Sequence, residues 1–86
     1  MINIIYSPVF VKQFGKLNKD FQDEVIQKIE LFKNKDNHIL LKVHKLHGKL
    51  KEQYSFYINY KTRIVFMWGD NKEALFFALG DHDLYK

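Results

Sequence analysis

Residues 54–68, YSFYINYKTRIVFMW, constrain the fold more than any other stretch, because side chains alternate with period two on both sides of a short interruption. Tyr54, Phe56 and Ile58 fall on one side and Ser55, Tyr57 and Asn59 on the other. Then Ile64, Phe66 and Trp68 oppose Arg63, Val65 and Met67. Period two belongs to strands, so two neighbouring strands are predicted, each with one greasier face that other elements must cover. The cover is sought upstream. Phe10, Phe14 and Leu17 recur at helical spacing after Ser7-Pro8, a serine cap with proline in the first helical position, which predicts a helix from 8 to about 18. Phe21, Val25, Ile29 and Phe32 mark a second helix, with Asp20, Asp23 and Glu24 near its start and Lys28, Lys33 and Lys35 toward its end, as the macrodipole favours.

A β-rich run at 2–6 precedes these helices. A third strand, 73–80, follows the turn signal Gly69-Asp70-Asn71 and is apolar enough to be central. The predicted fold class is α+β, in the order β-α-α-β-β-β: an antiparallel twisted sheet with an N-terminal αα-hairpin packed on one face and the other face open. Its 86 residues are read as one domain, 1–86, with room for a single core. The open face would carry Ser55, Tyr57, Arg63 and the terminal segment.

Charge is distributed unevenly. Between positions 33 and 63 there are eight Lys or Arg against Asp36 and Glu52, while the remainder is slightly acidic, within a total of +4. A one-sided positive field favours a polyanion, either nucleic acid or an acidic protein segment, although lysine runs are also ordinary solvated faces. The absence of cysteine excludes a disulfide framework, a thiolate nucleophile and cysteine-ligated zinc. No apolar run approaches a membrane span and the first residues lack a basic n-region, so no membrane role and a cytoplasmic location are expected. Two serines outside any nucleophile elbow and four scattered glycines leave serine hydrolysis and phosphate-loop chemistry without a basis.

Thirteen of the fourteen basic side chains are lysine, and the exception is Arg63. A point charge can be either residue, but a planar fork that grips an oxyanion through two donors must be arginine. The plainer reading ends a strand at Arg63 with its stem over apolar neighbours. His44, His47 and His82 supply groups that titrate near neutrality, and two of them flanking an arginine suit phosphodiester cleavage: one accepts the nucleophile's proton, one protonates the leaving oxygen, and the guanidinium stabilises charge on the phosphate. His38 is read as a structural histidine. A metal held by His44, His47 and His82 or the flanking Asp81 and Asp83 is the alternative use of these residues, and those carboxylates equally serve to orient His82. Tyr57 and Tyr60 are candidate base-stacking platforms or plain strand packing.

The run His44-Lys-Leu-His47-Gly48, then Tyr54-Ser55-x-x-Ile58-Asn59, then Arg63-Ile-Val-Phe66, and finally Gly80-Asp81-His82-Asp83-x-Tyr85 resembles the RelE/ParE superfamily of type II toxins, nearest the YoeB/Txe and YafQ branches. The resemblance covers the whole chain and implies a metal-independent mRNA endoribonuclease that uses no cofactor. Such an enzyme acts on mRNA, on translating ribosomes or on the RNA directly, and is restrained by a cognate acidic antitoxin. It implies catalytic roles for His44 as general base, Arg63 at the transition state, His82 as general acid and Tyr85 in orienting substrate. Lys45, His47, Lys49, Lys51, Tyr57 and Lys61 are the accompanying RNA-binding candidates, with His47 as a substitute for His44. Ser55, Tyr57 and Lys61 stand where relatives carry other acid-base residues, which shifts that load to the histidines. The alternatives are a ParE-like protein that poisons DNA gyrase without cutting RNA, and an inert relative that only binds its antitoxin.

Overall fold

The computed structural model describes residues 1–47 and 52–81. β1 (Asn3–Tyr6) leads through Ser7 into α1 (Pro8–Gly15), and α2 (Lys19–Phe32) follows after a three-residue link. Ser7 is extended and its Oγ accepts from the Phe10 amide at 3.0 Å, with Pro8 in the first turn, as the sequence predicts. Asn18 caps α2 in the same way, its Oδ1 2.9 Å from the Phe21 amide. Val25, Ile29 and Phe32 form the buried stripe of α2.

Beyond a short 3-10 turn at Lys35–Asn37 lie β2 (His44–Lys45), β3 (Tyr54–Tyr57), β4 (Thr62–Trp68) and β5 (Glu73–Asp81). The sheet order is β1-β5-β4-β3-β2. The α+β class and the helices on one face are as expected, and the structure adds two features. A two-residue strand, β2, pairs antiparallel with β3, and β1 runs parallel to β5 while the other pairings are antiparallel. Parallel neighbours need a long crossover, and here the helices and three strands intervene.

The core lies between the helices and one sheet face. Phe56, Ile58, Ile64, Phe66, Ala74, Phe76 and Leu79 meet Phe10, Val25, Ile29 and Phe32. Phe32 is its centre, with ring centroids 4.7 Å from Phe56, 4.9 Å from Phe66 and 5.3 Å from Phe76. Strict alternation would not put both Phe76 and Leu79 on that face. The register of β4 against β5 shifts between Val65 and Phe66, which pair with Ala78 and Phe76 and leave Phe77 as the extra residue of a β-bulge. The backbone groups the bulge disturbs are taken up by α1 and its cap: Ser7 Oγ donates to the Phe77 carbonyl, and the Leu79 amide donates to Gln13 Oε1, both at 2.6 Å. A break in the ladder thus becomes the joint between helix and sheet.

The second face is not open along its length. Ser55 and Val65, which pair across β3 and β4, are fully or almost fully buried there, and Leu46 is buried just past β2. The adjoining Ser55, Val65 and Ala78 make a row of small or apolar side chains across this face, with Ala78 half-buried. Among the described residues, no helix is long and apolar enough to cross a membrane.

Because Ser7 serves both the helix and the bulge, Ser7→Ala is expected to lower unfolding free energy by about 1–2 kcal/mol, read from the urea midpoint. Phe32→Ala, which empties the centre of the core, should cost about 3–5 kcal/mol in the same assay.

Candidate functional site

The register of the β3–β4 hairpin sets Tyr57 opposite Arg63, and Arg63 in turn opposite Gly80 on β5. Directly opposed residues project from the same face, so the phenol ring and the guanidinium meet. The Arg63 Cζ lies 3.8 Å from the Tyr57 ring centroid, a close cation–π stack. The hairpin turn fixes the guanidinium from its other side. Asn59 Oδ1 accepts from the Lys61 and Thr62 amides at 2.8 and 2.7 Å, which closes the turn and aims its carbonyls back at the strand. Arg63 Nη1 donates to the Tyr60 carbonyl at 2.9 Å and, at 3.4 Å, to that of Asn59.

These contacts leave a donor over. Arg63 is only 9% exposed, and its Nε is buried without an acceptor. Among the described residues no carboxylate forms an ion pair with it. A buried donor on a permanent cation with no acceptor is costly, and the group that would relieve it is an oxyanion. Ser55 Oγ is a second buried polar atom without a partner, one row away on the same face.

His44 pairs with Ser55, which places it on this face, and its ring centroid is 6.2 Å from that of Tyr57. Its Nδ1 lies 2.7 Å from the Lys42 carbonyl. A carbonyl only accepts, so Nδ1 carries the hydrogen in this bond, and in that tautomer of the neutral ring the lone pair is on Nε2. That is the arrangement of a general base held by one nitrogen and reacting through the other.

Lys42 is the residue the sequence reading missed. It lies in the left-handed region, at φ 57°, and its ammonium is 5.3 Å from the Tyr57 ring centroid. One more lysine in a lysine-rich chain gives no signal; the fold singles it out. Tyr57 therefore touches three cationic or titratable side chains: Arg63, Lys42 and His44.

The other candidates are placed differently. Lys45 pairs with Tyr54 and so faces the helix side, with its ammonium 3.8 Å from Glu52. His47 is exposed beyond the end of β2, and Lys61 is exposed in the hairpin turn beside the carbonyl that holds Arg63. His38 packs instead: its ring stacks on Phe32 at 4.5 Å and its Nε2 donates to the Phe32 carbonyl at 2.8 Å. His82, Tyr85, Lys49 and Lys51 lie outside the described residues. Among the described residues, no group of three or more His, Asp or Glu is placed to hold a metal ion.

Two concavities lie elsewhere. One of about 670 Å³ is lined by Lys33, Lys35, Trp68 and Lys72 among others, and an apolar one of about 270 Å³ runs along the two helices past Phe10, Phe14 and Ile26. The stacked group belongs to neither. It sits on a sheet surface that suits an extended polymer better than an enclosed small molecule.

The fold is one shared with several solved toxin structures. The structure is similar to YafQ from E. coli strain BL21(DE3), at a TM-score of 0.74 and 18% identity over all of both chains. It is also similar to the YoeB/ParE toxin from Agrobacterium tumefaciens, at 0.76 and 14% over 94% of this chain and 99% of that one. The YoeB–YefM complex from Staphylococcus aureus matches at 0.72 and 23%, over 95% and 98%. No protein-family model matches the chain, and no curated protein matches it in sequence. The likeness is one of fold.

The unpaired Arg63 Nε offsets what the Tyr57 stack and the Nη1 hydrogen bonds contribute, so the guanidinium's net contribution to stability is small. Arg63→Met should leave the urea midpoint equal or higher, within about 1 kcal/mol, whereas a buried ion pair broken from one side would cost about 3–5 kcal/mol. Added inorganic phosphate should raise the melting temperature of the wild type more than that of Arg63→Met.

Proposed function

We propose that this chain is the toxin of a type II toxin–antitoxin pair and that it cleaves mRNA on translating ribosomes. The observation that carries the reading is the buried Arg63 Nε without an acceptor, on a guanidinium already fixed by Tyr57 and by two turn carbonyls. A guanidinium held in place in this way, with no carboxylate pairing it among the described residues, is already positioned when charge develops on a phosphate at its exposed edge, which is what transition-state stabilisation requires. The similarity of fold to YafQ, which was also solved in a toxin–antitoxin complex with DinJ, supports the class of partner.

In this mechanism His44 accepts the 2′-hydroxyl proton at Nε2 while Lys42's carbonyl holds the imidazolium that results through Nδ1. The 2′-oxygen attacks the adjacent phosphorus. Negative charge gathers on the non-bridging oxygens against Arg63, and the bond to the 5′-oxygen breaks. His82 gives that oxygen its proton, leaving a 2′,3′-cyclic phosphate and a 5′-hydroxyl, and Tyr85 orients the substrate. Every proton and electron pair is accounted for by imidazole and guanidinium chemistry. Tyr57 has the stacking face on which a neighbouring base would rest, although Arg63 already occupies one side of that ring. His47, Lys45, Lys49, Lys51 and Lys61 act as a diffuse attraction for the RNA backbone. The inhibitor this face calls for is an acidic chain that covers Arg63 and His44 together.

Mapping RNA 5′ ends in cells expressing the chain tests the reading: new ends bearing 5′-hydroxyls at codon-defined positions are expected. Arg63→Ala and His44→Ala should each lower cleavage by about 10²–10³-fold while the folded protein persists. Growth arrest with intact transcripts and a DNA-damage response would overturn it in favour of a gyrase poison.

A further inference from the structure

We propose that Lys42 binds the substrate phosphate alongside Arg63, an inference that rests on the ribonuclease reading and adds to it a residue whose backbone and side chain serve the site separately. Residues 38–42 form one helical turn closed in the manner of a helix C-terminus. The Val43 amide donates to the His38 carbonyl at 3.0 Å and the Lys42 amide to that of Ile39 at 3.1 Å, with Lys42 left-handed between them. Leu41, 3% exposed, anchors this turn in the core, and its carbonyl accepts from the Tyr57 amide at 3.0 Å. The chain is therefore pinned to β3 at the one residue that Arg63 stacks upon.

Two consequences follow from that pinning. The Lys42 carbonyl is presented to His44 Nδ1, and the Lys42 ammonium is carried to the Tyr57 ring, where it joins Arg63 on the same aromatic side chain. A left-handed backbone alone is no sign of function, since Glu52, Asn71 and Lys72 share it. What distinguishes Lys42 is that it is an exposed residue whose ammonium lies near the same ring as a buried guanidinium, 5.3 Å and 3.8 Å from the Tyr57 centroid. Two cations near one ring repel each other, and an anion that reaches both relieves the repulsion; a polynucleotide phosphate has oxygens enough for both.

The backbone role and the side-chain role can be separated because glycine keeps the left-handed turn and deletes the ammonium. In Lys42→Gly the melting temperature should be equal to or higher than that of the wild type, and the ¹⁵N spectrum of His44 should still report hydrogen on Nδ1. Binding of a 2′-O-methyl oligoribonucleotide, which cannot be cleaved, should weaken about tenfold at low salt, and the slope of log K against log salt should fall by about 0.7, the share of one phosphate contact on a single strand. Lys42→Arg should restore the slope.

Unchanged affinity and slope in Lys42→Gly would overturn the proposal while leaving the ribonuclease reading intact. A lower melting temperature with loss of the His44 Nδ1 hydrogen would overturn it as well, by making Lys42 a structural residue. A wild type that does not bind the oligonucleotide would overturn this inference, while the ribonuclease reading stands or falls on the map of RNA 5′ ends.

Discussion

The pairing of Tyr57 with Arg63 across the β3–β4 hairpin is the constraint on which the site depends. A slip of one residue would turn the guanidinium into the aromatic core, where Phe56, Ile64 and Phe66 leave no place for a charge. Two features hold the register: the apolar alternation of both strands, which the core enforces, and the Asn59 side chain, which closes the turn. Stability and chemistry therefore share one cause. The packing that hides Phe56 and Phe66 beneath the helices also lifts Tyr57 and Arg63 onto the other face.

That second face is built unlike the first. The core is satisfied, ring against ring around Phe32, whereas around Tyr57 the chain gathers like charges and leaves a donor without an acceptor. Local rules of folding are broken at this face, and the surrounding sheet holds the exception in place. The core supplies that rigidity through Leu41 on one side of Tyr57 and the hairpin turn on the other.

Much of this was legible in the sequence, for identifiable reasons. Alternation in 54–68 fixed β3, β4 and the face of Arg63, and Ser7-Pro8 marked the start of α1 because a cap is a local interaction. The bulge at Phe77 was not legible, since a nearly continuous apolar run has the same appearance with or without a shift of phase. Nor was the parallel pairing of β1, which is decided by which sheet edge remains free. Lys42 was hidden for a different reason. The run Ile39-Leu40-Leu41 suggests burial, but only Leu41 is buried, and the turn that exposes its neighbours is made by backbone bonds that no side-chain pattern announces.

The parallel neighbours β1 and β5 are separated by nearly the whole of the described chain. During synthesis the first strand emerges early and waits, unpaired, until the final one has left the ribosomal tunnel. Arg63 likewise lacks its Gly80 neighbour until that moment. A nascent copy is accordingly an incomplete sheet until β5 arrives, and the face that carries Arg63 is finished only then.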